Sequence, residues 1–126
     1  MHVTMTVIAV LAWLQQIVGH VVLQLQPGWM LETKGDLRRI GGYAHAGIHA
    51  FASIPAYLIA WLGPADVTCL VLLEFTAHYL IDFAKAHVSS RVPAGPDRRV
   101  YWALHGGDQL MHQLTYTGLI AAAGSL

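Results

Sequence analysis

The sequence predicts an all-α fold: an integral membrane four-helix bundle with both termini outside and both long connections cytoplasmic. Three observations predict it. Hydrophobic residues make up 56% of the chain and charged residues 11%, whereas an ordinary soluble domain is about 25% charged. The apolar residues gather into four runs of about 20, each long enough to cross a hydrocarbon core of about 30 Å. All seven basic residues, Lys34, Arg38, Arg39, Lys85, Arg91, Arg98 and Arg99, lie in or beside two polar connections. Cytoplasmic loops carry the excess of Lys and Arg, so those two connections are assigned to the inner side of a cell inner membrane crossed several times.

The elements follow in order within a single transmembrane domain, residues 1–126. The first span covers residues 4–24. A cleaved signal peptide fits it poorly, because Met1 to Thr6 holds no Lys or Arg and Gln15, Gln16 and His20 interrupt the apolar run. Residues 25–40 form the first connection. Pro27 and Gly28 stop the first helix. The segment from Trp29 to Ile40 then mixes apolar and charged residues, which fits equally a short interfacial stretch and a solvated loop. The second span is 41–62. Gly42, Ala46 and Ala50 give it a small-residue stripe for close helix contact, and Pro55 interrupts its outer half. Gly63 to Asp66 makes a tight turn into the third span, 67–88, and residues 89–99 form the second connection, with Pro93, Gly95 and Pro96. The fourth span is 100–123. Trp61 marks the outer interface, and Trp29 and Trp102 the inner one. Lys85 is expected to extend its ammonium to the inner headgroups. Gly106 and Gly107 are expected to permit close packing, and Gln109 and Tyr116 either to orient site residues or to satisfy each other. His105, near the interface, is expected to be solvated.

A formal net charge of zero gives no basis for nucleic-acid binding. The single cysteine, Cys69, forms no intrachain disulfide and no thiolate cluster. The eight histidines are more telling. Glu74, His78 and Asp82 recur every four residues, one helical turn, and so share a face of the third span. His45 and His49 repeat the spacing in the second span, and Asp108 and His112 in the fourth. With His20 near the inner end of the first span, these residues fall at the same end of the bundle. Pairs of ligands on facing helices are how bundles hold metal ions. Imidazole and carboxylate donors without thiolates suit zinc, iron or manganese. The candidate metal ligands are therefore His45, His49, His78, Asp82, Asp108, His112 and His20. Glu74 is a candidate general base, with partner or ligand as its other roles. A purely structural network is the competing explanation. It is poorly favoured energetically: a charged carboxylate at mid-membrane costs at least about 2.5 to 3.5 kcal/mol, and an interhelical hydrogen bond returns about 0.6 kcal/mol on average.

Several short runs add a resemblance. V-L-Q (Val22 to Gln24), W-M-x-x-x-K (Trp29 to Lys34), H-A-G-I-H (His45 to His49), H-Y-L-I-D-F-A-K (His78 to Lys85) and D-Q-L-M-H (Asp108 to His112) occur in this order. Together they resemble domain-of-unknown-function family 3307, small integral membrane proteins of bacteria and their phages, from about Gln16 to the fourth span. The family has no established activity. By motif, the resemblance implies functional positions at Gln24, Lys34, His45, His49, His78, Asp82, Lys85, Asp108, Gln109 and His112. The family pattern usually places an acidic residue four before the glutamine and a histidine four before that; here His20 and Gln16 stand there, so one negative charge is missing.

Three functions fit this pattern. The first is a metal-dependent hydrolase acting on a lipid-like or headgroup substrate from the cytoplasmic leaflet. The second is a haem or redox binding module, against which the three acidic residues argue. The third is a non-enzymatic adaptor or a subunit of a larger membrane assembly. The partners expected are the lipid bilayer and either further copies of the chain or a larger membrane complex.

Overall fold

The computed structural model describes residues 5–6, 9–10, 13–14, 27–92 and 95–126, and these are helical with turns and contain no strand. The first predicted span, with His20 and Gln24, lies almost entirely outside the described residues. Its described residues are helical, and Met5 lies so close to Gly124 that a Cβ on that glycine would collide with it. Five helices follow: α1 (Gly28–Glu32), α2 (Ile40–Ala52), α3 (Ile54–Ile59), α4 (Pro64–Arg91) and α5 (Arg99–Ala123). The short α1 packs on α2, and α4 stands at the centre with α2 and α3 on one side and α5 on the other.

Local chemistry sets the boundaries. Pro55 has no N–H to continue the helical ladder, so the second predicted span breaks at Ser53 into α2 and α3. α3 ends in a Schellman turn: Leu62 donates its N–H to Tyr57 O (3.3 Å) and Trp61 to Leu58 O (3.0 Å). That turn needs a left-handed residue, usually glycine; here Trp61 fills it at φ 60°, with 91% of its surface exposed. Gly63 and Pro64 open α4, with Asp66 in the first turn facing the positive end of the helix dipole. At 28 residues α4 is about 42 Å long. Among the described residues it is the one helix long and apolar enough to cross a bilayer. α5 has 25 residues, but His105, Asp108, Gln109, His112 and Gln113 dilute its apolar character.

The interior is polar and the exterior apolar. His45, His49, Ser53, Glu74, His78, Asp82, Asp108 and His112 are all buried. Among the described residues, a cluster of buried apolar side chains lies at the end near the α3–α4 turn, where Tyr57, Val67, Leu70, Leu119 and Ala123 meet. Large apolar side chains such as Phe51, Leu58, Leu72, Leu73, Leu80, Leu110 and Leu114 are exposed. The small-residue stripe does what its spacing predicts. Ala46 and Ala50 are at 0% and 1% exposure, and a Cβ on Gly42 would lie 3.2 Å from both Lys34 Cα and Tyr79 Cε2. Gly106 and Gly107 depart from expectation. A Cβ on either would meet no described atom within 4 Å, so among the described residues they seat no neighbour.

Candidate metal centre

The side chains inside the bundle are arranged in layers because α2 and α5 both run antiparallel to α4. Descending α4 from its start, the buried residues are Val67, Leu70, Glu74, His78 and Asp82. Ascending α5 they are Asp108, His112, Tyr116, Leu119 and Ala123. Intervals of three or four residues keep each series on one face, so successive layers pair across the helices.

The deepest polar layer centres on Glu74. Its Oε1 accepts from Ser53 Oγ (2.7 Å) and Tyr116 OH (3.0 Å), and its Oε2 from Tyr57 OH (3.2 Å). One carboxylate thus ties α3, α5 and the Ser53 break to α4. Tyr116 bonds to Glu74 rather than to Gln109, which instead donates to Asp108 Oδ2 at 3.5 Å.

One turn along α4, the histidines converge. The rings of His49 and His78 are 4.1 Å apart and those of His78 and His112 are 4.3 Å apart. The donor atoms of His45, His49 and His78 lie within 4.8 Å of one another, and so do those of His78, Asp82 and His112. Asp82 Oδ2 is 3.4 Å from His45 Nε2 and 3.6 Å from His78 Nε2, while Oδ1 is 3.6 Å from His112 Nε2. Ligands about 2.0–2.1 Å from a tetrahedral zinc ion are separated by about 3.3–3.4 Å. The His78–Asp82 and His112–Asp82 spacings are close to that, so these three residues could hold a divalent ion. Asp108 joins through His112, with its Oδ1 3.5 Å from Nε2.

Two lysines complete the layer; Lys85 departs from the sequence reading, while Lys34 stands at a position that the motif resemblance implied. Lys85 does not reach outward to headgroups. It turns inward, with Nζ 2.6 Å from Asp108 Oδ2 and 3.5 Å from His105 Nδ1. His105 is accordingly half-buried rather than solvated. Lys34 enters from the first connection, its Nζ 2.9 Å from both Asp82 Oδ2 and His45 Nε2. The reason is electrostatic: a buried carboxylate is costly unless paired, so each aspartate draws in the nearest ammonium. Composition and periodicity gave Lys34 no role. The W-M-x-x-x-K run was its signal. For Ser53 and Tyr57 the sequence held no signal, since hydroxyl residues in a span more often bond their own helix.

These groups line a cavity of about 350 Å³. His49, His78 and His112 form its inner end, and Leu31, Ser89 and Tyr101 stand at the end bearing the two connections. Glu74 does not line it; the carboxylates that do are Asp82 and Asp108. The arrangement offers four imidazoles and two carboxylates from three helices, beside two ammonium groups. No family model matches the chain, and no curated protein or solved structure matches it.

Proposed function

We propose that the chain is a multi-pass inner-membrane protein that holds a divalent metal ion and hydrolyses a lipid-like substrate from the cytoplasmic leaflet. The carrying observation is the convergence of His45, His49, His78, Asp82 and His112, all at most 6% exposed, at the inner end of one cavity. Nitrogen and carboxylate donors favour zinc, iron or manganese. The packed histidine rings, with centroids 4.1 and 4.3 Å apart, leave no room for a porphyrin between them.

Two features support the membrane setting besides α4. Apolar side chains face outward while the titratable ones face inward, the distribution expected where lipid is the solvent. Exposed hydroxyls are satisfied within their own helices: Thr68 donates to Pro64 O at 2.8 Å, Thr76 to Leu72 O at 2.8 Å and Thr117 to Gln113 O at 2.9 Å. In hydrocarbon such groups have no water to turn to.

A divalent ion in this donor set would polarise a substrate oxygen and acidify a water. The chain's own groups would do the rest. The histidines hold the ligand geometry. Asp82 and Asp108, on the cavity wall, would take the proton from the attacking water, a task that Glu74 within its three hydroxyls is badly placed to perform. Lys34 and Lys85 hold the two aspartates in place and present positive charge to the cavity. Elemental analysis of protein purified in detergent tests the reading. The expected result is stoichiometric metal in the wild type and its loss in His78→Ala, the histidine common to both donor groups. A metal-free wild type would end it. Membrane topology is tested by single cysteines at Ala65 and Arg98 in a Cys69→Ser background. An impermeant maleimide applied to intact spheroplasts should label the first and not the second.

A further inference from the structure

We propose that the substrate of this centre is an anionic lipid with a phosphate headgroup, its phosphate at Lys34 and Lys85 and one acyl chain in a groove between α4 and α5. The proposal rests on the hydrolytic reading above and names the substrate class for it. A second concavity, of about 470 Å³, lies between these helices and is walled by apolar residues including Leu80, Ala84, Val88, Leu104 and Met111. It shares Lys85 and Asp108 with the polar cavity. The Lys85–Asp108 pair is therefore a partition with a charged chamber on one side and an apolar channel on the other. An amphiphile whose charged and apolar parts adjoin would span such a partition.

Gly107 lines the groove. A Cβ there meets no described atom within 4 Å, so among the described residues the missing side chain leaves open space that a larger residue would fill. Charge selects the headgroup. Lys34 and Lys85 balance Asp82 and Asp108, so a divalent ion added to the layer leaves an excess of two positive charges. A phosphate monoester offsets that excess, whereas a zwitterionic or neutral headgroup does not. An ammonium has three donors. Lys85, with 32% of its side chain exposed, can therefore hold Asp108 and still receive a phosphate oxygen.

The test uses the full-length protein in dodecyl maltoside and three probes: hexadecyl phosphate, hexadecanol and inorganic phosphate. Retention is read by native mass spectrometry, with metal content measured on the same preparations. Hexadecyl phosphate is expected to bind at least tenfold more tightly than either of the others. Gly107→Leu, which fills the groove, should weaken hexadecyl phosphate at least fivefold and leave inorganic phosphate unchanged. Gly107→Ala, too small to fill it, should bind as the wild type does, and thermal unfolding of both variants checks that they fold. Lys85→Gln should weaken both phosphates. Hexadecanol binding as well as hexadecyl phosphate, or Gly107→Leu leaving the lipid probe unaffected, would overturn the proposal even in metal-loaded protein. Preparations without metal would overturn the hydrolytic reading instead, and the lipid site then stands or falls on the binding data.

Discussion

Removing the tyrosine hydroxyls around Glu74 one at a time gives a prediction whose order runs against bond length. Tyr116 OH lies 3.0 Å from Oε1 and Tyr57 OH lies 3.2 Å from Oε2, so distance alone ranks Tyr116 as the more important. Satisfaction of the acceptor ranks them the other way. Tyr116→Phe leaves Oε1 with Ser53 Oγ at 2.7 Å, and should cost about 0.5–1.5 kcal/mol, the net worth of one hydrogen bond. Tyr57→Phe takes away the one described donor to Oε2. The oxygen belongs to a residue only 1% exposed, so the loss should cost about 1–3 kcal/mol, the penalty for an orphaned buried acceptor. Both substitutions keep the ring, so packing changes little. The double variant Ser53→Ala/Tyr116→Phe strips Oε1 completely and should exceed the sum of its single variants by about 1 kcal/mol. Reversible unfolding in mixed dodecyl maltoside and dodecyl sulfate micelles measures all four. Tyr116→Phe costing as much as Tyr57→Phe, together with an additive double variant, would refute the assignment of donors to the two oxygens.

Other expectations concern the charges and the turn. Lys34→Met removes an ammonium that stands between two candidate metal ligands, Asp82 and His45. Zinc should bind about tenfold more tightly, a gain of about 1.4 kcal/mol, in competition titrations with a chromophoric chelator; weaker binding would show that the lysine supports the ion. Asp108→Asn should release Lys85 without dismantling the His45–His49–His78 group, so metal content is expected to persist while Lys85 becomes faster to acylate. Trp61→Gly relieves a left-handed residue that costs roughly 1–2 kcal/mol, and should raise stability in micelles by about that amount, read by the same unfolding assay.

Much of the centre was legible because helical periodicity is a strong constraint on which residues share a face. His45 with His49, His78 with Asp82, and Asp108 with His112 each sit one turn apart, and the structure brings these three pairs together on the inner faces of α2, α4 and α5. The helix break was legible where proline acts directly, at Pro55, but the expected turn from Gly63 to Asp66 is the start of α4, which begins at Pro64. Lys85 was misread because a lysine at the end of an apolar run usually reaches for water. Here a buried aspartate within 3 Å outweighs that preference, and no local pattern announces a partner 23 residues away. The glycine pair was expected to permit close packing, and among the described residues it seats no neighbour. Glycine permits either close contact or empty space, and the neighbour that decides between them is not in the local sequence. Ser53, Tyr57 and Tyr116 could not be assigned to Glu74 until the order of helices around α4 was known.

The short link between α3 and α4 carries a consequence for biogenesis. On the membrane reading, a lone α4 leaving the translocon would expose Glu74, His78 and Asp82 to acyl chains. The preceding α2–α3 segment already holds Ser53, Tyr57, His45 and His49, and the turn at Gly63 is too tight for the two arms to separate far. Inserted together as a hairpin, they would quench most of each other's polarity before α5 is synthesised, so the energetic threshold for integration is met by the pair rather than by either arm. Lengthening that turn with a flexible insert would be expected to lower the yield of integrated protein while leaving every side chain of the metal layer intact.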